Sequence, residues 1–365
     1  LGDVYKRQGQ HMEHDFLNLR YNIASNQYTK FISTFGNINM YASYLSISIP
    51  VLLAVFAFCK NWFSRILSGI LLIAAGCNIL IANSDSVFLG IFAGVVVVTI
   101  LAFMQGRLRY SSFAVFLLFV GNLVLGFINK YGHTRYDKKR GGLAIALNRL
   151  DIAFVLCGAA LLVFAVVCVC NWKLGTRVAA WNKKKIVLIV CGACVALGVI
   201  GIIVLAVTGS SLLTFNDKWG SYRGYIWRKI VEVYGDAPFV NKLFGYGNES
   251  VRVTLKAACY NEMVQVTGKV YDNAHNELLQ YLFTTGIVGL LSYLALVGSS
   301  IVYMFKHAKE HAWISVCLAA TVGYFAQSIL NLNQPITTPL FFVFMAMGVG
   351  TVNYCRRVKE LEKRA

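Results

Sequence analysis

Nine apolar runs, each close to the length of a membrane-crossing helix, limit what this sequence can fold into. A helix needs roughly 20 predominantly apolar residues to cross the hydrocarbon core of a bilayer. Runs near that length lie at 41–59, 66–82, 86–104, 110–128, 151–170, 186–208, 279–305, 312–331 and 336–354. Because 57% of the residues are hydrophobic and only 14% are charged, the composition is unlike that of a soluble domain. We predict an all-α, polytopic helical membrane protein with about nine transmembrane helices.

Lysine and arginine residues follow alternate apolar runs. Lys60 follows the first run, Arg107 the third, Lys184 the fifth and Lys309 the seventh, and the tail after the ninth run is basic. Basic residues mark the cytoplasmic side of a membrane protein, so we place these turns in the cytoplasm. They also account for much of the net charge of +18, and nucleic acid is therefore not an expected partner.

The same alternation divides the chain into five predicted segments. Because the chain starts at Leu1 and no apolar run precedes residue 40, we expect further transmembrane helices upstream. The segments are an outer N-terminal segment (1–40), transmembrane helices one to six (41–208), an extracytoplasmic catalytic loop (209–278), transmembrane helices seven to nine (279–354) and a basic cytoplasmic tail (355–365).

One predicted outer loop does not fit this orientation. It carries the basic residues Lys130, Arg135, Lys138, Lys139, Arg140 and Arg149. Either an apolar run is miscounted, or the loop binds an anionic partner. We favour the second interpretation because every other loop agrees with the orientation.

The long outer loop contains a predicted amphipathic helix. Tyr222, Ile226 and Ile230 recur at a helical spacing, which predicts a short helix that lies on the membrane surface. Pro238 should end it. The following sequence LFGYG should form a glycine-containing turn.

His275 is the strongest candidate for chemistry in this loop. We place it in the first turn of the seventh transmembrane helix, with Asp272 or Asn273 as the N-cap. The positive end of a helix favours a nearby anion and disfavours imidazolium, so the ring should be neutral and able to accept a proton beside a diphosphate. The alternative is an interfacial histidine without a role.

Arg223 is the second candidate. Trp227 follows it at i+4, so the two side chains share one helix face. An interfacial Trp would anchor the helix at the headgroup layer, where the guanidinium can bind phosphate with two hydrogen bonds. The alternative is an ordinary surface arginine. We expect the neighbouring Arg228 and Lys229 to be solvated or to face the headgroups.

No cofactor or metal is predicted. Histidine residues outside the long loop lack partners at ligand spacing, and the sequence holds no phosphate-binding nucleotide loop. The cysteines lie in or near the apolar runs apart from Cys259, so they are expected to be ordinary helix residues rather than a disulfide framework.

Three stretches of the chain resemble, in order, the motifs of one known family. HNELLQ at 275–280 and the TGIVGL that follows are similar to the HNxxLQ…GxxG signature of the O-antigen ligase and polymerase superfamily. The segment from Arg223 to Trp227, with LFGYG downstream, resembles the RxxxW…GxG segment of that family. TFGNIN at 34–39 resembles its TFGNxN stretch. From the signature glycines Gly286 and Gly289 we expect close helix packing.

The resemblance implies a metal-independent, helical glycosyltransferase of the C type in the bacterial cytoplasmic membrane. Such an enzyme takes a glycan from an undecaprenyl-diphosphate carrier and passes it to an acceptor hydroxyl on the outer face. The acceptor is a glycan, a wall polymer or a glycolipid. His275 would be the catalytic residue and Arg223 a ligand of the diphosphate. Further predicted substrate-binding residues are Trp227, Asn276, Gly245, Gly247, Asn37 and Asn39.

The sequence departs from the family at one position. Where the family often has Ser-Arg, this chain has Ser84 followed by Asp85, and a carboxylate cannot bind phosphate as arginine does. The contact is therefore either lost or supplied elsewhere, and our hypothesis is that Arg135, Lys138, Lys139 or Arg140 of the basic loop supplies it.

Alternatives to this prediction remain open. The enzyme could be a repeat-unit polymerase or a ligase, and we lean towards polymerase. A lipid-linked glycan flippase or polysaccharide transporter is the main competing class, but ionisable residues are nearly absent from the middle of the predicted helices, where transport pathways usually have them. A membrane sensor or scaffold would need neither His275 nor Arg223.

Overall fold

The computed structural model describes residues 21–22, 27–28, 38–82, 84–131, 150–179, 216–331 and 335–364. Two short strands in these ranges, β1 (Tyr21–Asn22) and β2 (Gln27–Tyr28), pair antiparallel. The other elements are helices, so the predicted all-α class is confirmed. They are α1 (Ile38–Phe58), α2 (Trp62–Ala82), α3 (Asp85–Met104), α4 (Leu108–Tyr131), α5 (Leu150–Ala179), α6 (Trp219–Gly235), α7 (Phe239–Phe244), α8 (Ser250–Thr267), α9 (Glu277–His307), α10 (Ala312–Ser328) and α11 (Thr338–Arg364).

Seven of the described helices are long and apolar enough to cross a membrane, and the chain is a multi-pass membrane protein. They are α1, α2, α3, α4, α5, α9 and α11. α10 is also apolar but has only 17 residues, whereas the run at 312–331 predicts a longer helix. The sixth predicted span, 186–208, lies outside the described residues, so the count of nine stays a prediction.

One compact unit contains α1 to α4, most of α5 and α10, and all of α11. Glycine allows α2 and α4 of this unit to approach closely. A Cβ atom at Gly76 would lie 2.1 Å from the carbonyl oxygen of Leu118, and one at Gly121 would lie 1.9 Å from that of Ile73. A larger side chain at either position would therefore force the two helices apart.

A buried polar chain joins three helices of the same unit. The hydroxyl of Ser43 on α1 donates to Oε1 of Gln327 on α10 over 3.3 Å, and Nε2 of Gln327 donates to the hydroxyl of Ser86 on α3 over 3.3 Å. All three side chains are buried. Because an unsatisfied polar group is costly in such surroundings, these bonds fix how α1, α3 and α10 align.

The second compact unit contains α6, α7, α8, most of α9 and residues 328–333. It has a hydrophobic core of its own. Ile226 and Ile230 of α6, Leu255 and Met263 of α8, and Phe283 of α9 are all fully buried in it. The described part of the predicted outer loop, residues 216–278, therefore folds into packed helices rather than an open loop.

This core corrects the prediction that α6 lies on the membrane surface. Ile226 and Ile230 are fully buried inside the unit, and Tyr222 packs against the same core. The apolar face recognised in the sequence is real, but it is covered by α8 and α9 and is not available to lipid. The helical spacing of apolar residues cannot show whether a face is buried in lipid or against other helices, because both require the same stripe of apolar residues.

α9 is broken near its N-terminal end at Gly286. This residue has φ 68° and ψ −173°, a backbone conformation that is essentially restricted to glycine. The break divides α9 into a short arm (277–285) and a long arm (287–307). The end of α7 lies against the break, because a Cβ atom on Gly286 would be 2.2 Å from the carbonyl oxygen of Leu243. The prediction of close packing at Gly286 is confirmed.

Candidate active site

Arg228 and Lys229 are engaged in an ion-pair network. Lys229 is buried, which corrects its predicted solvation, whereas Arg228 is exposed as predicted. The guanidinium of Arg228 lies 2.9 Å from the carboxylate of Asp217, and Nζ of Lys229 lies 2.8 Å from that of Glu262 on α8. Glu232 forms ion pairs with both cations. These ion pairs connect α6 to α8 within the second unit.

The first turn of α6 has an unusual backbone. Gly220, Ser221 and Tyr222 all have positive φ values, between 58° and 71°. For Ser221 and Tyr222 this conformation is strained. The phenolic oxygen of Tyr271 stabilises it by donating to the carbonyl oxygen of Ser221 over 2.8 Å. Regular helix therefore begins only at the next residue, Arg223.

Arg223 extends from this strained turn towards the residues that follow α10. Its Nη1 donates to the carbonyl oxygen of Leu330 over 2.7 Å. The guanidinium is also close enough to His275 for its positive charge to lower the pKa of that ring. The structure thus brings together the two residues that the sequence analysis singles out for chemistry.

His275 lies immediately before α9 and not in its first turn, which corrects the predicted placement. α9 begins at Glu277, and the N-cap is Asn276, whose Oδ1 accepts from the backbone N–H of Leu279 over 3.0 Å. Asn273, one of the two predicted caps, instead accepts from the backbone N–H of His275 over 3.2 Å. His275 itself has a φ of 49°, in the left-handed region, which is uncommon for residues other than glycine.

The residue before His275 is held from both sides. Nε1 of Trp227 donates to the carbonyl oxygen of Ala274 over 2.8 Å, and Oε1 of Gln280 accepts from the Ala274 backbone N–H over 2.9 Å. Ala274 is fully buried. These two bonds restrain the peptide that leads into the left-handed turn. Trp227 is predicted from the sequence as a substrate-binding residue, whereas Gln280 has no predicted role although it is part of the HNELLQ motif.

The surroundings of His275 keep its ring neutral. Burial is the main cause that lowers its pKa, to about 4, and the charge of Arg223 adds to the effect. Asp272 opposes the shift and Lys269 supports it. From the helix dipole, the sequence predicts a neutral ring. The lowered pKa agrees with that prediction, but its principal cause is desolvation rather than the dipole.

The ring of His275 is positioned by an aromatic contact and carries a buried polar atom. Tyr271 meets it edge to face, with the ring centroids 5.8 Å apart. Nδ1 of His275 is buried and makes no hydrogen bond within the described part of the chain. Buried polar atoms in native proteins are nearly always hydrogen-bonded, so Nδ1 has room for a partner that the described residues do not supply.

The glycine turn at 245–247 packs against the break in α9. The backbone N–H of Tyr246 donates to the carbonyl oxygen of Phe283 over 3.0 Å, and that of Gly247 donates to the carbonyl oxygen of Thr284 over 2.9 Å. Gly245 has φ 77°, and a Cβ atom there would lie 2.3 Å from the Thr284 backbone. The structure therefore gives Gly245 a packing role, and substrate binding by Gly245 and Gly247 stays a prediction.

A buried carboxylate beside the site escaped the sequence analysis. Glu277, in the first turn of α9, is fully buried and its Oε1 accepts from the hydroxyl of Tyr293 over 3.0 Å. Tyr281 stacks on Tyr293 with a centroid separation of 4.2 Å. An acidic residue at the N-terminal end of a helix is favoured by the helix dipole. The position of Glu277 at the predicted start of the helix is the sequence signal that could have identified it.

Other predicted residues are not tested by this geometry. Asn39 lies in the first turn of α1, in the first compact unit. Among the described residues, no group of three or more His, Cys, Asp and Glu side chains is placed to hold a metal ion. The predicted binding residues Asn37, Arg135, Lys138, Lys139 and Arg140 lie outside the described part of the chain.

The proximity of Arg223 to His275 leads to a prediction about protonation. Arg223→Gln removes the positive charge, so the pKa of His275 should rise from about 4 towards its ordinary value of 6.5, with burial preventing a full return. Histidine NMR titration of the labelled protein in lipid nanodiscs measures this. Lys256→Gln, which removes an exposed cation from α8, should leave the pKa unchanged. An unaltered titration in Arg223→Gln would show that the two side chains do not interact.

Comparison with known proteins supports the resemblance found in the sequence. Residues 141–294 match the family model described as O-antigen ligase. This range contains Arg223, Trp227, the glycine turn and His275, and the match confirms that the chain is similar to the O-antigen ligase and polymerase superfamily. The TFGNIN stretch lies outside the match. No curated protein matches the chain.

Proposed function

We propose that this protein is a membrane glycosyltransferase that moves a glycan from an undecaprenyl-diphosphate carrier to an acceptor hydroxyl on the outer face of the bacterial cytoplasmic membrane. The O-antigen ligase match supports an enzyme of the ligase or polymerase kind. We further propose that the donor is lipid-linked, that the reaction takes place on the outer face of the membrane, and that it needs no metal ion. The acceptor would be a second glycan, a wall polymer or a glycolipid.

The observation that carries the proposal is the arrangement around His275. A neutral imidazole is held in a left-handed turn by its restrained neighbour Ala274, and the guanidinium of Arg223 lies close by. A general base must be unprotonated and rigidly placed, and a diphosphate leaving group needs a fixed cation. The second unit contains a candidate for each of these two roles.

The proposed reaction needs one proton transfer and one substitution. His275 accepts the proton of the acceptor hydroxyl as that oxygen forms a bond to the anomeric carbon of the donor glycan. The bond between the anomeric carbon and the diphosphate oxygen breaks, and the electron pair leaves with the carrier diphosphate. Arg223 stabilises the negative charge on the departing oxygen, which is the task that a metal ion performs in other transferases.

A pKa of about 4 for His275 suits this role only if donor binding changes it. A base with so low a pKa stays unprotonated at neutral pH but accepts a proton weakly. A diphosphate bound nearby favours imidazolium and offsets the charge of Arg223, so it should raise the pKa. The ring would then become a stronger base when the donor is in place.

The basic loop that precedes α5 is proposed to complete the donor site. The carboxylate of Asp85 cannot replace the arginine that the family often has there, and Arg135, Lys138, Lys139 and Arg140 offer cations for the diphosphate. Neutralising all four should weaken the apparent affinity for the lipid-linked donor. An unchanged affinity would remove this loop from the proposal.

The decisive experiment uses the purified protein in lipid with an undecaprenyl-diphosphate oligosaccharide. A ladder of longer lipid-linked products identifies a polymerase. A single transfer that requires a second acceptor identifies a ligase. If the donor remains unchanged with every acceptor class, the proposal fails and a flippase, transporter or scaffold becomes the better explanation.

Trp227 should affect the reaction through position rather than through substrate contact. Trp227→Phe keeps an aromatic ring but removes the donor to Ala274, so the turn carrying His275 gains freedom. We expect kcat to fall roughly 10- to 100-fold with little change in KM for the donor. Trp62→Phe, on an exposed residue of the first unit, is the matched control. A change confined to KM would instead place Trp227 in direct contact with the substrate.

A further inference from the structure

A cavity lies in the first compact unit, where three helix connections meet. Its volume is about 830 Å³. Lys60 comes from the turn between α1 and α2, Arg107 from the turn between α3 and α4, and Lys309 from the turn between α9 and α10. The sequence places all three connections on the cytoplasmic side, and the cavity shows that they lie at the same end of the unit.

We propose that this cavity binds the phosphate headgroup of an anionic phospholipid. The proposal is independent of glycan transfer, because it involves different residues and a different compact unit. It rests on the charge of the cavity, on the way its cationic groups are fixed, and on the aromatic side chains around its rim.

The cavity has an excess of positive charge that the described residues do not neutralise. Among them, Glu310 is the one carboxylate that lines the cavity, and it already pairs with His307 at 2.8 Å and with Lys359 at 3.1 Å. Within the described part of the chain, neither Lys60 nor Lys309 forms an ion pair. Basic recesses between transmembrane helices are suited to anionic headgroups.

Part of the cavity wall is rigid. Nη1 of Arg107 donates to the carbonyl oxygen of Phe58 over 3.1 Å, at the C-terminal end of α1, so its guanidinium is held in place. Nε2 of Gln105 donates to the carbonyl oxygen of Ala308 over 3.2 Å and to the hydroxyl of Ser315 over 3.1 Å. These bonds connect the α3–α4 turn to α10 and its preceding turn, which keeps the cavity open.

The rim explains why a lipid is favoured over a free phosphate ion. Trp62 and Phe63 begin α2 beside the lining residue Asn61, and their side chains are 71% and 59% exposed. Trp313, which lines the cavity itself, is 45% exposed. Exposed aromatic side chains at the end of a membrane helix lie at the headgroup layer. The general excess of basic residues on the cytoplasmic side explains the charges, but not their convergence on one recess.

The test measures lipid binding by the full protein and needs no glycosyl donor. Phosphatidylglycerol is titrated into the detergent-purified protein, and the rise in Tm reports the apparent affinity. Lys60→Gln with Lys309→Gln removes two cations of the cavity and should weaken that affinity roughly tenfold to thirtyfold. Arg107 is left intact because it also holds the end of α1.

The matched control removes the same charge outside the cavity. Lys306→Gln with Lys363→Gln changes two exposed lysines of the same unit, and the response to phosphatidylglycerol should persist. Phosphatidylcholine and inorganic phosphate should give little stabilisation of the parent protein. Equal loss in both double variants would overturn the proposal, because binding would then follow total charge. Stabilisation by inorganic phosphate alone would overturn the assignment to a lipid.

Discussion

His275→Gln should lower the rate of glycan transfer roughly 10²- to 10⁴-fold, the range that a general base contributes. The glutamine amide has a similar size and can occupy the same turn, but it cannot accept a proton from the acceptor hydroxyl. Affinity for the donor should change little, since the proposed ligand of the diphosphate is Arg223. Product formation from a lipid-linked oligosaccharide, together with donor binding at equilibrium, measures both quantities.

His311→Gln serves as the control for this substitution. His311 is exposed and belongs to the first unit, so the variant should transfer glycan at the parent rate. A fully active His275→Gln protein would remove the histidine from the mechanism. If donor binding were lost together with the rate, the histidine would have to be reassigned as a binding residue.

Gly286→Ala should destabilise the second unit severely. Alanine is strained at a φ of 68°, and its Cβ atom would lie 2.2 Å from the carbonyl oxygen of Leu243, a backbone atom that cannot rotate away. Backbone strain of this kind costs about 1–3 kcal/mol, and overpacking costs a similar amount. We therefore expect a loss of about 2–5 kcal/mol, visible as a lower Tm and a poor yield of folded protein.

Gly298→Ala provides the comparison within the same helix. A Cβ atom there meets nothing within 4 Å and the backbone is helical, so alanine should be neutral or slightly stabilising. Equal Tm values for the two variants would show that the break at Gly286 is not needed for the fold. A stable but inactive Gly286→Ala protein would instead assign the break to the geometry of the site.

The sequence predicts those features that depend on local composition. Apolar runs identify the described membrane helices, because the length of a span is fixed by the bilayer. The motifs around His275 and Arg223 select two residues that lie in the same compact unit, close enough for the charge of Arg223 to lower the pKa of His275. The neutral state of His275 also follows, although burial causes it more than the helix dipole does.

Features that depend on partners distant in the sequence cannot be predicted from local composition. Lys229 has the character of a solvated residue in the sequence, and its partner Glu262 is on another helix. Asp272 and Asn273 are as suitable for capping as Asn276, and only the chain path selects the last. The left-handed turn at Ser221 leaves no compositional signal, because Tyr271 stabilises it from elsewhere in the chain.

The break in α9 divides a membrane-spanning arm from the short arm that follows His275. The long arm (287–307) measures roughly 30 Å, which is a complete span by itself. The short arm (277–285) adds roughly 13 Å and is bonded through Phe283 and Thr284 to the glycine turn of the second unit. When a membrane thins or thickens, a continuous helix would tilt and move its end residues. Because Gly286 interrupts the helix, a tilt of the long arm need not be transmitted as a rigid rotation to the short arm, whose carbonyl groups are bonded to the glycine turn.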